Sequence, residues 1–240
     1  MTPVSTRPSH GDDRAQVAPG TTSAAATPDA TDALDRIDAV VLVPIKAFHL
    51  AKGRLAGVLD PARRERLARW TAEQVLAAAG DGPVAVVCDD PTVAAWALEH
   101  GALVLREEGL GLNGAVDHAV EMLRADGHRH VVVVHGDLPR PSPLGSFARA
   151  RTITLVPDSR SDGTNLLSFP IDVGIRAAYG GGSFRRHLAA ALTTGCAVEV
   201  VRDPFVALDI DHPADLTHPL VKDVLPAWLR TNPDNPSPTH

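Results

Sequence analysis

Several features are scarce or missing in this chain, and each shortage narrows what it can be. Its 240 residues include only two cysteines, Cys88 and Cys196, and their spacing fits no metal-ligand pattern. Each lies within or beside an apolar run, which predicts free, buried thiols in a reducing compartment. No apolar stretch approaches the ~20 residues needed to span a bilayer. The N-terminal residues lack the apolar core of a secretory signal. The expected location is therefore cytoplasmic, with no membrane partner. No G-x-x-x-x-G-K-[ST] sequence is present, so this is not a P-loop protein. There is no internal repeat. Basic residues are outnumbered by acidic ones, 23 to 29, for a net charge of -6. That balance argues against a nucleic-acid-binding face but leaves room for a local basic pocket.

What remains is an ordinary globular composition, 44% hydrophobic and 22% charged. Residues 1–36 and 231–240 are rich in small and polar residues with no hydrophobic period, and both are expected to be disordered tails. The folded domain is expected over 37–230. Short β-branched runs at 39–44, 83–88, 102–105, 130–139, 152–157 and 165–169, with "AVEVV" and "VALDI" further on, read as strands. Helical patterns fill 61–80, 91–101, 113–127 and 183–195. Asp60 is the expected N-cap of the first, with Pro61 at N1 and Gly80 just past its end. Alternating strands and helices, with several strands apolar throughout, predict a single α/β domain. Its mostly parallel mixed sheet would lie between helices. In such sheets ligands gather beyond the carboxyl ends of the strands.

Three groups of residues fall at such ends. The stretch "LDID" places Asp209 and Asp211 two apart, so that in an extended strand both would face one side. Paired like charges repel, and a hard divalent cation such as Mg²⁺ removes the conflict; otherwise Asp211 is only the cap of a helix starting near Pro213. Asp137 ends the run "VVVVHGD" and could join that pair. The loop after the first strand carries Lys46, Lys52 and Arg54, a set suited to a triphosphate. His135 reads as a packing residue. A literal G-x-G-x-x-G, "GLGLNG" at 109–114, invites a dinucleotide reading. Against that, Glu107 and Glu108 would stand beside the pyrophosphate, and the motif comes third in strand order. A milder reading leaves Gly111 and Asn113 as backbone and amide contacts to a nucleotide. Gly180 to Gly182 lead into Ser183, expected to cap the next helix, and such a start is a ready anion site.

Taken in order, these pieces resemble a known family. The set is V-P-x-K…K-x-R-L, G-L-N, D-L-P, D-G-T-N over 162–165, Y-G-x-G-S-F and L-D-I-D-x-P. It is similar to the guanylyltransferases that activate a phosphorylated three-carbon acid for coenzyme F-420. The likeness extends over 39–217. It implies a Rossmann-like, GT-A-like nucleotidyltransferase fold, GTP as donor, Mg²⁺ as cofactor and a small phosphorylated carboxylic acid as acceptor. Phosphoenolpyruvate is favoured because the Ala- and Arg-rich chain looks actinobacterial; 2-phospho-L-lactate and 3-phosphoglycerate are the alternatives. The resemblance implies that Asp137, Asp209 and Asp211 hold the metal and that Thr164, Gly180 and Ser183 hold the acceptor; Lys46, Lys52 and Arg54 are then expected to act on the phosphates. Oligomeric state stays open, a homodimer among the options. Two positions depart from the family pattern: Arg140 comes after D-L-P where a hydrophobic residue is usual, and His212 stands in place of Thr. Three other readings compete: a nucleotidyltransferase with a sugar-phosphate or molybdopterin acceptor, a nicotinamide dehydrogenase resting on 109–114, and a non-catalytic nucleotide-binding regulator.

Overall fold

The most apolar runs form the centre of one sheet. The structure, a computed structural model, describes residues 39–230; the two expected tails lie outside the described residues. The strands are β1 (Val40–Pro44), β2 (Val84–Cys88), β3 (Leu103–Arg106), β4 (His130–Val134), β5 (Thr152–Pro157), β6 (Thr164–Pro170) and β7 (Ala197–Val200). Their order across the sheet is β3-β2-β1-β4-β6-β5-β7. β6 runs antiparallel to both its neighbours, and every other pairing is parallel. The mostly parallel mixed sheet expected from the pattern is what forms. The main helices are α1 (Pro61–Ala78), α2 (Pro91–Glu99), α3 (Gly111–Ala125) and α4 (Ser183–Ala191), with two short ones, α5 (Pro219–Lys222) and α6 (Ala227–Arg230). Among the described residues no helix is long and apolar enough to cross a membrane.

Strand alternation divides the core in two. Val41, Val43, Val86, Val132 and Val134 face one side, where Ala72 and Val75 of α1 and Val93 and Ala97 of α2 cover them. Val40, Leu42, Ala85, Val131 and Val133 face the other, under Val116, Ala119 and Leu123 of α3 and Ala191 of α4. The cap and end read for α1 hold. Asp60 accepts from the backbone N–H of Arg63, with Pro61 first in the helix and Gly80 at φ 65 beyond its end. Asp90 does the same for α2, accepting from Thr92 and Val93. A third cluster lies apart from the sheet. Leu55, Leu67, Ile210, Val221 and Leu225 are all buried together, with Trp70 and Trp228 at their edge.

Several elements differ from expectation. β4 ends at Val134, so Asp137 sits in the loop three residues beyond it. The run 206–210 is no strand. Asp203 accepts hydrogen bonds from the backbone of Phe205 and Val206 and closes a turn there, and this side-chain competitor outweighs the β-propensity of the run. Asp209 and Asp211 therefore project from an irregular segment rather than from a pleat. α3 begins at Gly111, two residues early, and α4 ends at Ala191, four residues short of Gly195. Cys88 is buried as expected, but Cys196 is only half-buried.

Leu123 is fully buried and Leu192 is 67% exposed. Denaturant unfolding should therefore show a loss of about 2–5 kcal/mol for Leu123→Ala and under about 0.5 kcal/mol for Leu192→Ala.

Candidate active site

The chain runs outward from β1 to β2 and β3, then returns to add β4 on the other flank of β1. Such a reversal opens a crevice at the carboxyl ends of the strands. Here a cleft of about 550 Å³ lies there, lined among others by Lys46, Lys52, Asp89, Glu107, Gly111, His135, Asp137 and Asp211.

At one end of it Asp137, Asp209 and Asp211 converge, with one carboxylate oxygen of each within 4.8 Å of the others. The loop after β4 and the segment before Pro213 are joined by their backbones, Ile210 N–H donating to the Asp137 carbonyl at 3.3 Å. Asp215 holds the second segment in place: its Oδ2 accepts from the N–H of Asp211 at 2.9 Å and of His212 at 2.6 Å. Asp211 is thus not the cap expected for a helix starting near Pro213. A 3-10 turn, Pro213–Thr217, does start there, but His212 is its N-cap. This leaves the Asp211 carboxylate free to face the basic loop.

Lys52 lies among the three acids. Its Nζ is 3.0 Å from Asp137 Oδ2 and 3.6 Å from Asp211 Oδ1, with the side chain 4% exposed. Its backbone is left-handed, φ 58 and ψ 32, unusual for a residue with a side chain. Arg54 Nη1 reaches Asp211 Oδ2 at 2.8 Å from a largely exposed position. Burial alone would raise the pKa of Asp137, but the Lys52 ammonium, the nearby His135 and the hydrogen bonds to the carboxylate together outweigh it and hold the carboxyl below its usual range. Asp209 moves the other way. Burial, and then the charges of Asp137 and Asp211, push it up to about 6. The buried Asp137 Oδ1 has no hydrogen-bond partner. Three hard oxygen donors, one of them unsatisfied and another carrying an elevated pKa, fit a divalent cation.

The basic loop is not the flexible stretch its composition suggests. Two 3-10 turns, Phe48–Leu50 and Gly53–Leu55, fold it down. Phe48 packs edge-on against Trp96 at 5.1 Å under the Arg69 guanidinium, and Leu55 sinks into the third apolar cluster. Lys46 stays exposed on the cleft wall.

The other expected residues divide between the cleft and a buried seam. Gly111 lines the cleft at the start of α3. Asn113 does not offer its amide to a ligand: Oδ1 accepts from Tyr179 N–H at 2.7 Å and Nδ2 donates to the Tyr179 carbonyl at 3.3 Å. Thr164 and Ser183 are buried and bonded within the protein. Thr164 N–H donates to Ser183 Oγ at 3.0 Å, so Ser183 is tied to β6, and the cap residue of α4 is Gly182. His187 accepts the Ala178 N–H on Nε2, so its Nδ1 carries the hydrogen that goes to Thr164 Oγ1 at 3.0 Å. Burial first, then Arg186 and His135, lower the His187 pKa to about 4 and keep it neutral. Gly180, at φ 110, opens the turn above this seam. A stack of rings connects the seam to the cleft, Tyr179 lying 5.2 Å from His135 and 4.8 Å from His187. Arg140 lies over the Phe205 ring at 4.8 Å. His135, expected only to pack, lines the cleft. So do Asp89 and Glu107, neither of which was expected to contact a ligand. Asp89 comes directly after an apolar strand, and a carboxylate at such a place is the kind of signal that could have flagged it.

Three carboxylates around one ammonium make the metal-free site unfavourable at neutral pH. Asp209 has a folded pKa near 6 against an ordinary value of 3.8, so its charge opposes folding above pH 6 and ceases to do so below about 4. Melting of the metal-free protein should find Asp209→Asn more stable than the parent by on the order of 1–2 kcal/mol at pH 7.5, after discounting for solvent screening. The advantage should fade between pH 6 and pH 4.

Residues 39–223 match the family described as "Guanylyl transferase CofC like". A phosphoenolpyruvate guanylyltransferase from Rubrobacter xylanophilus is 36% identical over 184 residues, 73% of this chain and 90% of that protein. One from Conexibacter woesei is 36% identical over 219 residues, 81% and 98% of the two chains. Among solved structures, one from Desulfovibrio desulfuricans G20, assigned to the nucleotide-diphospho-sugar transferases, superposes with a TM-score of 0.62 at 17% identity, covering 81% of this chain and 91% of that one. A nucleotidyl transferase from Methanothermobacter gives 0.54 at 19% identity, with 80% and 98% coverage; at such identities the likeness speaks for the fold alone. The carboxylate trio, the basic loop and the strand order stand within a sequence match of this extent, and the chain belongs to the CofC-like guanylyl transferase family.

Proposed function

We propose that the protein transfers a guanylyl group from GTP to the phosphate of a three-carbon phospho-acid, releasing pyrophosphate, in coenzyme F-420 biosynthesis. Phosphoenolpyruvate is the favoured acceptor. The observation that carries the reading is the convergence of Asp137, Asp209 and Asp211 with Lys52 at one end of a nucleotide-sized cleft. The names of the related guanylyltransferases support the choice of substrates.

In this reading an oxygen of the acceptor phosphate attacks the α-phosphorus of GTP in line. The bond to the α–β bridging oxygen breaks, and pyrophosphate leaves with the electron pair. A phosphate monoester has its second pKa near ~6, so the attacking oxygen is already anionic at neutral pH and needs no general base. The protein's task is then positioning and charge neutralisation. Asp137, Asp209 and Asp211 would hold Mg²⁺, which when bound supplies positive charge to the reacting phosphates. Lys46, Lys52 and Arg54 stabilise the β- and γ-phosphates. Lys52 exchanges part of its contact with Asp137 and Asp211 for the departing pyrophosphate. The backbone at Gly111 approaches the nucleotide, and Asn113 contributes by fixing Tyr179. Gly180 meets the acceptor, while Thr164 and Ser183, their hydroxyls engaged, hold the turn that presents it.

The test is pyrophosphate release across a small matrix of nucleoside triphosphates and phospho-acids with Mg²⁺. The wild type should be most active with GTP and phosphoenolpyruvate. Asp209→Asn should fold normally yet lose about 10³-fold in turnover, equivalent to about 4 kcal/mol. Near-wild-type turnover in that variant would remove the metal role.

A further inference from the structure

The cleft is chemically lopsided. Lys46 and Lys52 serve the end at β1 and β4, but the end at β2 and β3 presents Asp89 and Glu107. Cys88 pairs with Arg106 in the parallel register, so these two acids are the next residues along neighbouring strands. The Glu107 N–H donates to the Cys88 carbonyl at 3.0 Å and keeps the two chain segments together past the end of the sheet.

The two acids are not equivalent. Glu107 is occupied: its Oε1 pairs with His118 Nδ1 at 2.5 Å, and its side chain is 10% exposed. Asp89 is exposed at the cleft, and among the described residues no hydrogen-bond donor or cation is paired with its carboxylate. A carboxylate facing a site for a polyanion is unfavourable unless the nearby part of the ligand offers donors. Guanine does: N1–H and the 2-amino group lie side by side at a spacing that two carboxylate oxygens can accept together. Adenine presents a lone pair at N1, which a carboxylate repels. Leu112, 46% exposed, and Ala115 also line the cleft and supply apolar surface for the faces of a base. The alternative reader, Asn113, has its amide committed to Tyr179.

We propose that Asp89 sets the base specificity of the enzyme by accepting N1–H and the 2-amino group of guanine. Glu107, held by His118, forms the wall beside it without touching the base. This rests on the reading of GTP as donor given above. It separates from the transfer chemistry because the phosphate-binding end of the cleft plays no part in it.

The experiment uses the full chain with Mg²⁺ and compares wild type, Asp89→Asn and Glu107→Gln. Binding of GTP, xanthosine triphosphate and ATP is measured by calorimetry, and kcat/KM by pyrophosphate release with phosphoenolpyruvate. An asparagine amide can still accept N1–H but now donates where xanthine has a carbonyl. Asp89→Asn should therefore lose about 10–100-fold in affinity for GTP and gain a similar factor for xanthosine triphosphate, with kcat at saturating nucleotide little changed. Glu107→Gln should keep the wild-type order of preference. If Asp89→Asn preserves the wild-type nucleotide ratios, or if Glu107→Gln produces the exchange instead, the assignment to Asp89 is overturned. If the exchange appears in binding but no pyrophosphate forms with any acid, the base reader stands and the transfer reaction falls. A wild type that binds no guanine nucleotide overturns both.

Discussion

Asp137, Asp209 and Asp211 repel one another, and the fold presses them together regardless. Much of the local architecture answers that conflict. Lys52 is buried among them in a backbone conformation that few non-glycine residues adopt. Arg54 neutralises Asp211 from the solvent side. Asp215 spends its own carboxylate on two backbone N–H groups so that Asp211 is aimed rather than free. The misfit that remains is visible in Asp209, whose pKa climbs while that of Asp137 falls. A site in this state has more negative charge than the protein supplies cations to balance, which is the condition under which a divalent ion or a cationic ligand group binds most favourably.

The sheet supports this by placing loops rather than by contributing catalytic side chains of its own. β1 and β4 are parallel neighbours whose side chains are spent on the two cores, so what they deliver to the site is position. The chemistry comes from the loops at their carboxyl ends, Lys46 to Leu55 after β1 and His135 to Asp137 after β4, and from the irregular segment that bears Asp209 and Asp211. That division matches the rule that binding groups ride on connections held by a rigid scaffold.

Most of this was legible in the residues. Apolar β-branched runs marked the strands, and Asp60, Pro61 and Gly80 marked the ends of the first helix, because those signals are local. The three aspartates were legible as a group through their places after apolar runs and through the resemblance to a family. What could not be read was competition between side chain and backbone. Asp203 bends 203–207 into a turn where composition favoured a strand, and Asn113 uses its amide on Tyr179, 66 residues away in sequence. The tethering of the basic loop was equally hidden, because Phe48 and Leu55 find their partners in α1, α2 and the C-terminal segment. Such long-range pairings leave no periodic trace.

The third apolar cluster has a temporal side. Leu55 and Leu67 come early in the chain, whereas Ile210, Val221 and Leu225 come near its end. During synthesis, β1 to β4 and their helices can associate long before the segment bearing two of the three aspartates leaves the ribosome. The emerging polypeptide can thus acquire a scaffold while its reaction centre is still unborn, and Ile210, Val221 and Leu225, arriving later, are the side chains that fasten that centre to Leu55 and Leu67.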